Sequence, residues 1–535
     1  MSSTAASGDT APRDSTPRPL THPTVRAVLR DRHALALAAL SGVAYFLGFA
    51  SFEVPPFAFV SLAPLLVALR GRQGWAAIKL GWVMGFFAIA GGFYWIAGML
   101  KTFSGFPLPV CILLAALLWA AQGLQFGVMA WVMTRADARD VPRLVSVPLA
   151  LAAVELAFPV LFPWYTANSL HHVPLLIQTA DLGGPIVVSA GLALGHAALA
   201  EAATRHGAWP QRLRPLLAPL AFWAFALPYG AWRIAQVDAA ARARPSLQVG
   251  IVQENLGLME KRNDPYIALD RHLDTSRRLE AQGAELIVWS ESAIAFRIPE
   301  GLRNIRDYIS AWDLHTPVMF GALSVRGGDD PATRRLYNTA FITDAEGNLR
   351  GSYDKVYLLA FGEYIPGGEL LPWVYQVSRN SGHFSRGTTL RSMPGPRGAA
   401  VLPLICYEDI LPRFVRDFRQ SADASLMAVI LNDAWFGDTA EPWIHNALSK
   451  FRAIEHRRDL VRSANSGVSS IIDAAGRVVV QGGTFRREAL LGRVTLREGS
   501  TPYDLVGDWC GWAGILLAFY GLKPVRQKSE ASPAA

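Results

Sequence analysis

Residues 403–411 read PLICYEDIL: an apolar run, a cysteine at its end and two carboxylates just beyond it. The chain has only three cysteines, and Cys111 and Cys510 both lie in apolar runs. Cys406 therefore has no partner in its own polar region, which excludes a disulfide framework and leaves either a packing thiol or a reactive one. A thiol of pKa about 8.5 is mostly protonated at neutral pH, so a nucleophilic cysteine needs a base or a cation beside it.

Working outward from this stretch, β-rich runs alternate with polar helical patterns. From Ser246 they read SLQVGIVQ, YIALDRHLDTSRRLEAQ, AELIVWSE, GLRNIRDYISAW and TPVMFGALSV, and further apolar runs follow at AAVLPLIC, LMAVILND, SGVSSIID and ALLGRVTL. The alternation predicts an α/β domain over 246–499, whose functional residues gather at strand ends. Three strand ends carry suitable chemistry: Glu291, Lys355 and Cys406. A carboxylate can take the thiol proton, and an ammonium can hold both the thiolate and the oxyanion of a tetrahedral intermediate. Taken singly, each has an ordinary reading as a packing or surface residue.

The rest of the chain has a different texture. Of the 535 residues, 51% are hydrophobic and 18% charged, richer in apolar residues than a soluble enzyme. Residues 1–33, rich in Ser, Thr, Pro and Ala, read as a disordered tail. Apolar stretches at 34–50, 55–69, 76–99, 108–133, 144–160, 175–203 and 215–235, with an eighth at 505–522, predict eight transmembrane helices, the second short. Loops 70–75, 134–143 and 201–214 hold Arg70, Arg72, Arg135, Arg139, Arg143, Arg205, Arg212 and Arg214, whereas the alternate loops hold only Lys101. The basic loops are cytoplasmic by this count, so both tails, 1–33 and 523–535, lie inside and 246–499 lies outside. Topology accounts for the net charge of +8 without nucleic acid. Ionisable residues in the spans are few: Glu155, which reads either as a functional group or as a polar group bonded to neighbouring helices, and Lys79 and Asp181, expected near span ends at the interface.

No G-x-S-x-G, H-E-x-x-H or Walker lysine motif is present. Asp433, Asp438, Glu441 and His445 match no standard metal spacing and read as loop polarity at a helix start. His171 and His172 read as solvated or interfacial, and no cofactor is implied.

LICYEDILP, VWSESA, KVYLLAFGEYIP, LYNTAFI, LNDAWFGD and RSANSGVSSIID, in this order, resemble motifs of the nitrilase superfamily, and more narrowly of its membrane-embedded branch, the apolipoprotein N-acyltransferase family. FPWY at 162–165 and TPYDLVGDW at 501–509 extend the resemblance over the membrane part. It implies an αββα sandwich beside the transmembrane helices, in a bacterial inner membrane with the catalytic domain periplasmic. It implies Glu291 as base, Lys355 as intermediate stabiliser and Cys406 as nucleophile, with Glu363, Glu408, Asn338 and the Tyr407 amide in support. The implied reaction moves a fatty acyl chain from a phospholipid, phosphatidylethanolamine being the expected donor, through a cysteine thioester to the α-amino group of a diacylglyceryl apolipoprotein. A tethered amidase releasing the acyl group to water and a non-catalytic binding domain are the alternatives. The chain departs from the family pattern at Glu254, Arg262, Ser290 and Ala360, none of them in the triad. Segments 367–376 and 434–443 are candidate membrane-dipping lids, with ordinary packing as the other reading.

Overall fold

The computed structural model describes residues 25–257, 260, 263–327, 333–368, 370 and 382–524. The tail up to residue 24, Arg262, most of 367–376 and the last eleven residues lie outside the described residues.

Every apolar stretch carries helix. Trp75–Gly92, Leu108–Asp137 and Ala180–Thr204 are long and apolar enough to cross a membrane. Val25–Phe46, Arg143–Ala157, Leu217–Ala243 and Trp509–Leu522 cover four other stretches. The 55–69 stretch becomes two short helices, Phe57–Val60 and Ala63–Ala68, too short at 1.5 Å per residue to span a bilayer as one rod. Two helices meet through facing glycines four residues apart: Gly81 and Gly85 on one, Gly123 and Gly127 on the other. A Cβ at Gly85 would sit 2.0 Å from the Gly123 carbonyl oxygen, so only glycine allows this approach. The helix at Ala180–Thr204 is broken at Gly183 and Gly184, just before Pro185.

The polar region folds as two facing sheets. The first runs β13 (Glu488–Thr495), β1 (Ser246–Gln253), β2 (Leu286–Trp289), β4 (Val318–Arg326), β5 (Arg335–Thr343) and β6 (Leu349–Asp354), with β3 (Ile294–Pro299) pairing β4 off this path. The second runs β12 (Val478–Gln481), β11 (Ser470–Ile472), β10 (Leu460–Ala464), β9 (Leu426–Leu431), β8 (Ala400–Ile405) and β7 (Met393–Pro394). The central pairs β1–β2, β2–β4, β8–β9 and β9–β10 are parallel, and β2, β8 and β9 are wholly apolar because both faces are covered. Ile251, Val288 and Met319 of one sheet share a buried cluster with Leu404, Ile430 and Val461 of the other. Helix Pro265–Ala281, capped by Asp264, covers the outside of the first sheet through Leu269, Leu273 and Leu279. Helices Pro412–Ser421 and Glu441–His456 cover the second, completing an αββα sandwich.

The helical pattern expected at GLRNIRDYISAW is overturned. Only Ile305–Asp307 turns, as a 3-10 segment capped by Asn304, because Ile305, Ile309 and Trp312 all bury into one core and Ile305 N–H bonds the Gly347 carbonyl instead of propagating a helix. The 505–522 stretch also divides at Gly507 (φ 63°), and its main helix starts at Trp509.

Candidate active site

β8 delivers Cys406 to the end of the second sheet, where the chain turns into a 3-10 segment, Cys406–Ile410. Cys406 has φ 51°, a left-handed conformation that costs a non-glycine residue free energy and concentrates at functional sites. What holds it there is Glu408, wholly buried, one of whose carboxylate oxygens accepts the Ile405 N–H at 2.9 Å. The other accepts the Val356 N–H at 2.8 Å, the Tyr357 N–H at 3.0 Å and the Tyr353 hydroxyl at 2.8 Å. One side chain thus fastens the cysteine turn to the segment that carries Lys355. Tyr407 lies in the first turn of the 3-10 segment, where early N–H groups lack intrahelical partners. Its hydroxyl donates to the Leu161 carbonyl in the membrane part.

Glu291 follows β2 from the other sheet, and its neighbour Ser292 is also left-handed. Gly321 on β4 makes this turn possible, since a Cβ there would come within 2.8 Å of the Glu291 Cα and the Ser292 nitrogen. Lys355, at the end of β6, places Nζ 2.8 Å from Glu363 and 3.7 Å from Glu291. Asn338 on β5 bridges the two acids, its Nδ2 donating to Glu291 Oε1 at 2.7 Å and to Glu363 Oε1 at 2.9 Å. Glu363 also accepts the Leu359 N–H at 2.8 Å. All four are buried, so a group of two acids and one cation is held dry by its own hydrogen bonds.

The electrostatics match the geometry. Burial raises the Glu291 carboxyl, and Lys355 offsets this only in part. Burial alone would lower Lys355, but Glu363 and Glu291 outweigh it and hold the ammonium charged above its ordinary value. Burial pushes the Cys406 thiol well up, the Glu291 charge adds to that, and Lys355 pulls the other way. The resting thiol is therefore protonated, beside a carboxylate whose own proton affinity is enhanced. This arrangement suits proton transfer coupled to nucleophilic attack.

The structure brings together every residue singled out for this site: Glu291, Lys355 and Cys406 with Asn338, Glu363, Tyr407 and Glu408. It corrects three other readings. Glu441 does open the helix Glu441–His456, as the helix-start reading has it, but Asp433, Glu441 and His445 are not solvated loop polarity: their ligand-type atoms lie within 4.8 Å of one another and all three are buried. His445 bonds Asp409 at 2.7 Å and Asp433 at 3.3 Å, and Asp409 raises it to about 10 against the opposing effect of burial. Asp438 stands outside this group and accepts from Thr484. His171 is buried rather than solvated, 3.2 Å from the Lys450 ammonium, because the catalytic domain packs over its loop. Asp181 is wholly buried rather than interfacial: it accepts from Arg457 at 2.7 Å, Arg233 at 2.7 Å and Tyr229 at 2.8 Å. Glu155 accepts the Thr166 N–H and hydroxyl, both at 2.8 Å.

Among the departures, Glu254 is buried and paired with Arg487 at 2.6 Å, and Ser290 is wholly buried between Trp289 and Glu291. Ala360 bridges to Tyr364 beside Glu363. Trp435 stacks on Phe103 at 4.5 Å and Phe436 packs on Trp95 at 5.3 Å, so the start of 434–443 rests on the helical part.

Two family models match the chain: Apolipoprotein N-acyltransferase N-terminal domain over residues 41–198, and Carbon-nitrogen hydrolase over 248–501. Relatives named apolipoprotein N-acyltransferase cover both parts at once. That of Geobacter metallireducens is 32% identical over 494 residues, 90% of this chain and 94% of its own. That of Azotobacter vinelandii is 32% identical over 93% of this chain and 95% of its own, and that of Pseudomonas aeruginosa 30% over 91% and 94%. With the cysteine turn, the buried acid and ammonium group and both segments matched along one polypeptide, this chain belongs to the apolipoprotein N-acyltransferase family.

Proposed function

We propose that the protein transfers a fatty acyl chain from a phospholipid to the α-amino group of the diacylglyceryl-cysteine that begins an apolipoprotein. Glu291 takes the Cys406 proton as sulfur bonds to the ester carbonyl carbon. Lys355 and the Tyr407 N–H stabilise the oxyanion, the carbon–oxygen bond breaks, and Glu291 returns its proton to the departing lysophospholipid. The thioester left on Cys406 is attacked by the acceptor amine, whose proton passes to Glu291 and then to the released sulfur as the amide leaves. The observation that carries this reading is the left-handed Cys406 turn held by Glu408 against the Lys355 segment, facing Glu291 from the opposite sheet.

We place the chemistry at the outer surface of a bacterial inner membrane, with eight crossings and both termini cytoplasmic. The asymmetry of basic residues between loops supports the orientation. Exposed Leu113, Leu117, Leu220, Phe225, Leu516 and Phe519 on the helices supply an apolar girdle suited to lipid. Tethering there raises the local concentration of two lipid substrates and shields the thioester from water.

The test is intact-mass analysis of the purified chain with phosphatidylethanolamine. Wild type gains one acyl mass that hydroxylamine removes, and Cys406→Ala gains none. An adduct on Cys406→Ala, or none on wild type, overturns the mechanism. Release of free acid with no amide product in the presence of acceptor would select an amidase.

A further inference from the structure

A second feature lies beside the catalytic group. Tyr364 and Ile365, directly after Glu363, form one wall of a half-open cavity of about 990 Å³, and Leu336 and Arg335 on β5 form another. Its third wall, Phe384 to Arg386, is laced to the catalytic segment: Phe384 N–H bonds the Glu363 carbonyl at 3.2 Å and Gly387 N–H bonds the Lys355 carbonyl at 2.8 Å.

Four arginines line this space: Arg297, Arg334, Arg335 and Arg386. None of them pairs with a carboxylate among the described residues, whereas Arg326, on the neighbouring strand, is held by Asp354 at 2.6 Å. Arg386 instead lies over the Tyr364 ring, 5.0 Å from its centroid. Four like charges around one cavity repel one another, so the free energy of the empty site favours an incoming anion. Planar guanidinium forks suit phosphate oxygens.

We propose that this cavity binds the phosphodiester of the glycerophospholipid acyl donor and so positions its ester at Cys406. The inference rests on the acyl-transfer reading above and adds a recognition site to it. The charge pattern selects the donor rather than the acceptor, because the donor carries a phosphodiester anion and the diacylglyceryl-cysteine carries none. Apolar Leu358, Ile365 and Phe384 offer a surface for the glycerol and the first methylenes.

The test uses the full chain and the exposed-arginine double variant Arg335→Gln/Arg386→Gln, which breaks no ion pair. Binding of glycerophosphoethanolamine, a headgroup without acyl chains, is measured by calorimetry, with inorganic phosphate as competitor. Separately, kcat/KM for adduct formation is compared between phosphatidylethanolamine and a phosphate-free fatty ester. We expect the variant to bind the headgroup about tenfold or more weakly, and its preference for phospholipid over ester to fall by a similar factor. Unchanged binding and preference overturn the proposal, as does inorganic phosphate binding as tightly as the headgroup, which would make this a free-phosphate site. If wild type forms no adduct with either ester while headgroup binding depends on the arginines, the anion site stands and the acyl-transfer reading falls. If adducts form and headgroup binding ignores the arginines, the reverse holds.

Discussion

Lys355 lies 2.8 Å from Glu363 but 3.7 Å from Glu291. The ammonium is therefore held mainly by Glu363, which in the mechanism proposed above leaves Glu291 to act as base. Replacing Glu363 with Gln removes that anchor and lets Lys355 settle on Glu291, weakening the base and displacing the oxyanion donor together. Thioester formation should slow by about 10²-fold, the scale of losing one oxyanion contact, as read by a mass time course with phosphatidylethanolamine. A rate within about twofold of wild type would deny Glu363 any positioning role.

The raised thiol makes a second prediction of definite sign. Burial and the Glu291 charge both disfavour the Cys406 thiolate, so at pH 7 its thiolate fraction is smaller than that of free cysteine. Iodoacetamide should label Cys406 slowly at pH 7, and the rate should rise about tenfold per pH unit through the alkaline range. In Glu291→Gln the repelling charge is gone and the thiol pKa falls, so labelling at a fixed pH becomes faster while acyl transfer is lost. If labelling and transfer fall together, Glu291 does not disfavour the resting thiolate.

Much of the site was legible because its residues stand at strand ends within short, distinctive motifs: Glu291 stands two residues past β2, Lys355 follows β6 and Cys406 follows β8. The alternation of apolar strands with polar helical patterns showed an α/β domain, and the αββα sandwich itself came from the family resemblance. What the sequence hid depends on partners far along the chain. Asp181 looked like a span-end residue because its partner Arg457 lies 276 positions away. Asp433 and His445 looked like loop polarity because Asp409, which completes their network, belongs to the cysteine segment. The paired glycines at 81 and 85 and at 123 and 127 did carry a readable signal, the four-residue spacing of small residues in apolar helices. GLRNIRDYISAW misled because its apolar residues serve a core, not one helix face.

Glu408 offers the sharpest structural test. Its two oxygens accept four hydrogen bonds, from Ile405, Val356, Tyr357 and Tyr353. Glutamine has the same shape but only one acceptor oxygen, so Glu408→Gln turns an NH2 group toward at least one buried donor. That mismatch should cost about 1–3 kcal/mol, seen as a lowered unfolding midpoint. The cysteine turn should also loosen, so adduct formation falls further than stability alone explains, measured at a temperature where the variant is folded. A variant with wild-type midpoint and rate would show that the four bonds do not hold Cys406.

The join between the two parts of the chain can be tested at Asp181. Its carboxylate, wholly buried at the broken start of helix Ala180–Thr204, holds Arg457 of the catalytic domain and Arg233 of helix Leu217–Ala243 at once. Removing one charge from such a site leaves the others buried and uncompensated, which typically costs about 3–5 kcal/mol. Asp181→Asn should therefore lower the unfolding midpoint clearly, and limited proteolysis should cut near Arg457 or in the 244–246 connection sooner than in wild type. The loss should fall on both lipid and soluble ester substrates only as far as folding is lost, because Asp181 touches none of the catalytic group. If Asp181→Asn leaves midpoint and proteolysis unchanged, the domains are held by apolar contacts such as Trp435 on Phe103 and Phe436 on Trp95, and the buried charges merely tolerate one another.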